Sequence, residues 1–146
     1  AGMPASSTSF GFVHAVREIG ARRVAVAAPY PDDVTALFVD FLRAGQVEVT
    51  SAHSAGTTTA AEVAAWGEAE VLALARQAKA GDADAVLLPD TALHTVSHIP
   101  ALEQELGTPV LTANQVTVWE ALRLTDRRVN APGLGALFTR EPIVQV

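Results

Sequence analysis

Residues 21–52 read ARRVAVAAPYPDDVTALFVDFLRAGQVEVTSA, and this stretch decides the fold. Arg23 to Ala28 is a short β-rich apolar run that breaks at Pro29-Tyr30-Pro31. Val34, Leu37, Phe38, Phe41 and Leu42 then recur at i, i+3, i+4, i+7 and i+8, which lines one face of a helix. Asp32 and Asp33 begin that helix with charges suited to its positive end, and Gly45 stops it. A second apolar run, Val47 to Ala52, follows. A strand, an amphipathic helix and another strand make a parallel pair, because the return crossover takes a dozen or more residues and is usually helical.

The same alternation continues outward. Thr58 to Ala80 is rich in Ala and Glu, with Val63, Trp66, Val71, Leu74 and Ala78 as apolar positions, a division at Gly67 and a stop at Gly81. Ala85 to Leu88 and Pro109 to Ala113 read as strands three and four. Between them Pro100 opens a short helix carrying Leu102 and Leu106 that Gly107 ends, and a last helix runs near Val116 to Leu124. The expected fold is α/β, doubly wound, with a mainly four-stranded parallel sheet and helices on both faces. No repeat or low-complexity segment interrupts it, and the tail from Asn130 to Val146 has little helical periodicity.

Composition narrows the function. The 146 residues are 49% hydrophobic with a formal net charge of −6, enough apolar content for one domain's core. Disorder is excluded by that apolar content, and the acidic surplus argues against a nucleic-acid partner. No apolar run reaches the roughly 18 to 20 residues of a membrane span. The start AGMPASSTSF lacks the basic and apolar segments of a signal peptide, so a soluble cytoplasmic protein is expected. The chain has no cysteine, which removes disulfides, Cys-ligated zinc and any thiolate nucleophile of its own.

In an open parallel sheet the strands end along one edge, where ligands bind. The residues expected there are Pro29 and Tyr30, Ser51 to Ser54, Pro89, Asp90 and Thr91, and Asn114 and Gln115. Helices expected to begin just after Tyr30, Asp90 and Asn114 would aim free N–H groups at the same place and favour a small anion such as a carboxylate. No G-x-G-x-x-G follows a strand and no G-x-x-x-x-G-K is present, so nothing points to a dinucleotide or ATP.

Plainer readings stand beside these. Asp90 is open to reading as the N-cap of a short helix, and Tyr30 as an edge tyrosine with a solvated hydroxyl. Asp90, His94 and His98 stand at i, i+4 and i+8, but that span is too long for one compact ligand set and Pro100 interrupts the helix, so no metal is expected. Trp66 and Trp119 read as core or interface, and the PGLG around Gly133 as a turn.

The ordered motifs ARRVAVAAPYPDDV, ADAVLLPDTALHTVSHIPALEQELGTPVLTANQVTVWEALRL and APGLGALF resemble the aspartate/glutamate racemase superfamily, in particular its maleate isomerase and arylmalonate decarboxylase branch. The resemblance spans nearly the whole chain. It implies one lobe of a two-lobe enzyme, with a cofactor-free site between the lobes for a small carboxylic acid. Members are about twice as long, and this chain looks like the C-terminal lobe: residues 1–146 one α/β domain, 1–20 similar to the inter-lobe helix, and 126–146 an extended arm. A homodimer, or association with an N-terminal lobe missing from this chain, is the implied partnership.

Residue by residue, Tyr30 matches the tyrosine that hydrogen-bonds a substrate carboxylate in these relatives, and Asn114 matches the polar position after the last strand. Asp90 departs from the pattern, since Pro89-Asp90 stands where the family carries a small residue and its second-lobe cysteine. Thr91 retains a backbone donor and a hydroxyl. The resulting expectation is a cofactor-independent isomerase, racemase or decarboxylase acting on a maleate- or malonate-like acid by proton transfer. Asp90 and Tyr30 would be its catalytic residues, and Thr91, Asn114 and Tyr30 would bind substrate. The rival expectation is a non-catalytic, carboxylate-binding or regulatory descendant.

Overall fold

A computed structural model describes residues 2–78 and 80–139. The described part of the chain is a four-stranded sheet of β1 (Arg23–Ala28), β2 (Glu48–Ser54), β3 (Ala85–Leu88) and β4 (Val110–Thr112), in the order β2-β1-β3-β4 with every pairing parallel. The helices are α1 (Thr8–Glu18), α2 (Asp32–Ala44), α3 (Ala60–Ala64), α4 (Glu68–Gln77), α5 (Ile99–Leu106) and α6 (Ala113–Leu124). The doubly wound α/β reading is correct. β1 and β3 are the interior strands; Val24 to Ala28 of β1 and all of β3 are buried, which is why they read as unbroken apolar runs.

Alternating side chains divide the core in two. Val24, Val26, Leu87 and Leu111 face α1, α2 and α6 through Phe12, Val16, Leu42, Val116 and Trp119. Ala25, Ala27, Val86, Leu88 and Val110 face the other layer through Val63, Val71, Leu74 and Leu102, with Trp66 packed beside them. Trp119 is therefore a core residue, and Trp66 packs partly buried against the second layer. On the first layer α1 and α6 pack closely at Gly11, where an added Cβ would lie 2.9 Å from Val116 Cγ1 and 3.2 Å from Glu120 Cβ.

The two sheet edges differ. The outward N–H groups of β4 are capped by side chains: Glu103 Oε1 accepts from Val110 (3.2 Å) and Gln115 Oε1 from Thr112 (2.9 Å). Those side chains also fasten the segment after α6, since Glu103 Oε1 accepts from Ala136 N–H (2.9 Å) and Gln115 Nε2 donates to the Leu134 carbonyl (2.5 Å). Gly135, at φ +87°, sits between them; a Cβ there would lie 2.7 Å from Ile99 Cγ2 and 2.8 Å from Glu103 Oε1. Pro132–Leu134 and Ala136–Phe138 form two 3₁₀ turns, as the turn reading of PGLG anticipates, and Leu137 and Phe138 are buried against the first layer. Residues 140–146 of the expected arm lie outside the described residues. At the opposite edge, no hydrogen bond among the described residues reaches the outer side of β2.

Four local expectations need correction. No helix begins after Asp90; the chain turns there, and a single 3₁₀ turn, Val96–His98, leads into α5. The helical alignment of Asp90, His94 and His98 dissolves with it, and His98 Nδ1 instead lies 3.2 Å from Glu68 Oε2. α6 starts at Ala113, three residues before the expected start and one before Asn114, because Gln115 reaches back to the Thr112 N–H and closes the first turn. β2 extends through Ser54, which draws Ser51 to Ser54 into the strand rather than beyond it.

Candidate active site

In the order β2-β1-β3-β4 the chain reverses direction across the sheet between β1 and β3, and the crevice at their carboxyl ends is where such sheets bind ligands. Tyr30 follows β1 and Asp90 follows β3, so both stand at this switch point. Tyr30 is half-buried, and its phenol is pushed up to about 12, first by burial and then by the negative charge of Asp90 nearby. Among the described residues its hydroxyl has no hydrogen-bond partner, which leaves a protonated donor uncommitted. The segment after β2 folds across this point: Gly56 N–H donates to the Tyr30 carbonyl (3.0 Å) and Thr57 N–H to the Pro29 carbonyl (2.8 Å).

Asp90 adopts φ +90°, uncommon for any residue with a Cβ. The turn it starts uses its own groups: Oδ1 accepts from Ala92 N–H (2.9 Å) and its carbonyl accepts from Leu93 N–H (3.2 Å). This short polar residue is suited to such a turn, as its side chain stands in for a backbone acceptor. Asn114, in the first turn of α6, clamps the same turn by donating Nδ2 to the Thr91 carbonyl (3.1 Å) and toward Leu93 O (3.5 Å). Thr91 is exposed, and neither its N–H nor its hydroxyl has a partner among the described residues.

The structure thus brings together Tyr30, Asp90, Thr91 and Asn114. It does not bring in the others. Ser51 and His53 lie within β2, level with Ala25 and Ala27, and Ser51 donates to the Ala78 carbonyl (2.6 Å). Ser54 donates to Thr35 Oγ1 (2.6 Å). Gln115 is buried and spent on Thr112 and Leu134. Of the three expected helix N-termini only that of α6 is available to an anion, because α2 carries Asp32 and Asp33 in its first turn and no helix follows Asp90. Sequence reasoning placed Gln115 in the pocket and missed its role as a brace; its place three residues after Thr112, as in a capping box, was the available signal.

No group of three or more potential metal ligands occurs among the described residues. An open concavity of about 430 Å³ lies at the other edge of the sheet, where the strands begin, lined by Ile19, Arg22, Arg23, Glu48 and Asp84. There the Arg22 and Arg23 N–H groups are both spent on Asp84 Oδ2 at 2.9 Å. The carboxyl edge keeps uncommitted donors on Tyr30 and Thr91 among the described residues.

An acid and a phenol stand at the switch point of a doubly wound α/β sheet, with spare amide donors beside them. Residues 1–138 match the profile of the arylmalonate decarboxylase family, and the chain belongs to it. It is 34% identical over 140 residues to arylmalonate decarboxylase of Bordetella bronchiseptica, covering 94% of this chain and 58% of that protein. Maleate isomerase of Geobacillus stearothermophilus is 27% identical over 139 residues, covering 93% and 55%. A liganded Gly74Cys-Cys188Ser mutant of arylmalonate decarboxylase superposes with TM-score 0.87 at 34% identity, covering 94% and 60%. The Nocardia farcinica maleate cis-trans isomerase C194S mutant, solved with a covalently bound succinylcysteine intermediate, gives TM-score 0.87 at 26% identity, covering 92% and 56%. The chain spans little more than half the length of these relatives. No helix among the described residues is long and apolar enough to cross a membrane.

Proposed function

We propose that this chain supplies one lobe of a cofactor-independent isomerase, racemase or decarboxylase acting on a small mono- or dicarboxylic acid by proton transfer next to a carboxylate. The meeting of Tyr30 and Asp90 at the β1/β3 switch point carries this reading. The substrate carboxylate takes hydrogen bonds from the Tyr30 hydroxyl and from the N–H and hydroxyl of Thr91. In proton abstraction, the Asp90 oxygen not tied to Ala92 accepts the proton from the adjacent carbon, and the C–H electron pair moves into the carboxylate to form an enediolate. Return of that proton from Asp90 restores the carboxylate. In decarboxylation, loss of carbon dioxide generates the same enediolate, and a proton taken from solvent and relayed by the Asp90 carboxylate quenches it. Tyr30 acts as the donor, because a phenol raised to about 12 keeps its proton at neutral pH. Asn114 positions the Asp90 turn through Thr91 and Leu93.

The test is exchange of the carbon-bound proton next to the carboxylate, followed by NMR in deuterated water over a panel of small mono- and diacids. The Asp90→Ala variant is expected to lose about 100-fold or more in rate, the usual worth of a positioned acid or base. Equal exchange in both proteins removes Asp90 from the mechanism.

The absence of cysteine favours a second reading, a carboxylate-binding protein without turnover, because a solved relative forms its intermediate on a cysteine. Binding without exchange would select it. A homodimer, or pairing with a complementary lobe, belongs to the proposal too: Phe10 on α1 and Val34 and Leu37 on α2 are exposed, Leu37 at 70%. The cytoplasmic location read from the sequence is part of the same proposal.

A further inference from the structure

Asp90 introduces a carboxylate at a place where backbone donors gather. Its Oδ1 accepts from Ala92 N–H at 2.9 Å, so one amide of the turn after β3 is already occupied by an internal acid. A second, Leu93 N–H, is held by the Asp90 carbonyl. Of the three amides in this turn only that of Thr91 is uncommitted among the described residues. No cationic side chain among the described residues forms an ion pair with Asp90, and the first turn of α2, which starts two residues after Tyr30, adds Asp32 and Asp33 to the same edge. The site therefore offers donors for one carboxylate, from Tyr30, Thr91 and the first turn of α6, and places the Asp90 carboxylate beside them.

We infer that Asp90 occupies the position of a diacid's second carboxylate, so that the site selects a small acid carrying a single negative charge and rejects the dianion of the same skeleton. The inference rests on the proposed carboxylate site and narrows its substrate class. The reaction it favours is proton exchange beside a lone carboxylate, with the far end of the substrate uncharged. Desolvation strengthens the discrimination, since two like charges in contact within a half-buried crevice repel far more than they do in water.

Matched ligands isolate the charge. Maleate and monomethyl maleate share a carbon skeleton, as do malonate and monomethyl malonate, and each pair differs by one negative charge at neutral pH. Calorimetric titration of the full chain is expected to give the half-esters dissociation constants lower by about tenfold or more, the order expected for one like-charge contact at a partly screened site. Asp90→Asn is a mild replacement, because asparagine keeps an oxygen for Ala92 N–H and tolerates positive φ. It should abolish the preference by strengthening diacid binding. Tyr30→Phe should weaken both members of each pair and leave their ratio unchanged. Wild-type binding of maleate at least as tight as that of its half-ester, or an Asp90→Asn ratio equal to the wild-type ratio, overturns the inference while leaving the carboxylate site standing. If the wild-type chain binds neither member of either pair, the carboxylate site itself falls and the inference falls with it.

Discussion

At Asp90 one turn sets both the backbone and the reactive group. The positive φ aims the side chain back over the turn, Ala92 N–H holds one carboxylate oxygen, and the other is left for chemistry. Tyr30 reads out that charge. As it is the only tyrosine in the chain, its phenol can be titrated by ultraviolet absorbance without ambiguity. The midpoint is expected at about 12 rather than the ordinary 10.0, and Asp90→Asn should move it downward by removing the nearby negative charge. A folded protein titrating at the ordinary value, with no response to Asp90→Asn, would separate the two residues. The sign for stability follows: the neutral phenol is favoured in the folded state, so its contribution is complete below pH 10 and is lost as pH rises from 10 toward 12.

Between elements, the join of α1 to α6 depends on a buried carboxylate. Glu120 Oε1 accepts from the Ser6 hydroxyl (2.7 Å), His14 Nδ1 (2.8 Å) and Arg123 Nη2 (2.8 Å), while Oε2 accepts from Arg123 Nε (2.8 Å). Burial pushes this carboxyl upward, but hydrogen bonds from Arg123, Ser6 and His14 outweigh it and hold the group at about 2. The ionised form is thus favoured by folding. Its contribution is complete above the ordinary value of 4.5 and is lost as pH falls from there through about 2. Denaturant melts of wild type and Glu120→Gln are expected to converge across that window, with the wild type ahead at pH 7. A constant gap down to pH 2 would contradict the assignment.

At the scale of the molecule, the sheet is closed at one side and, among the described residues, open at the other. Side chains of α5 and α6 and the Gly135 turn cover β4, whereas β2 has no strand on its outer side among the described residues. Hydrogen exchange should therefore be slowest in β1 and β3, whose amides open only with global unfolding, and fastest among the strands on the outer side of β2. Protection of β2 equal to that of β1 would mean that another chain covers the edge in solution.

How much of this was legible in the sequence depends on the range of the interaction. The strands Arg23–Ala28 and Ala85–Leu88, the helix from Asp32 to its stop at Gly45, the break at Gly67 and the parallel arrangement all followed from apolar periodicity and Gly and Pro punctuation. These signals are local, because an element keeps its period or stops where the backbone cannot continue; on α2 the buried face is Thr35, Val39 and Leu42, while Val34 and Leu37 of the expected apolar stripe are exposed. The strand ends likewise placed Tyr30, Asp90, Thr91 and Asn114 along one edge. Only the tertiary structure decided what each residue at that edge does. Strand length drew His53 into β2, and contacts between segments distant in sequence turned Ser51 and Gln115 to other partners. The helix expected after Asp90 gave way to a turn once its carboxylate bound Ala92 and Asn114 reached across from α6. Hydrogen bonds between segments 19 or more residues apart leave no periodic trace in a sequence, so they enter only when the sheet brings those segments side by side.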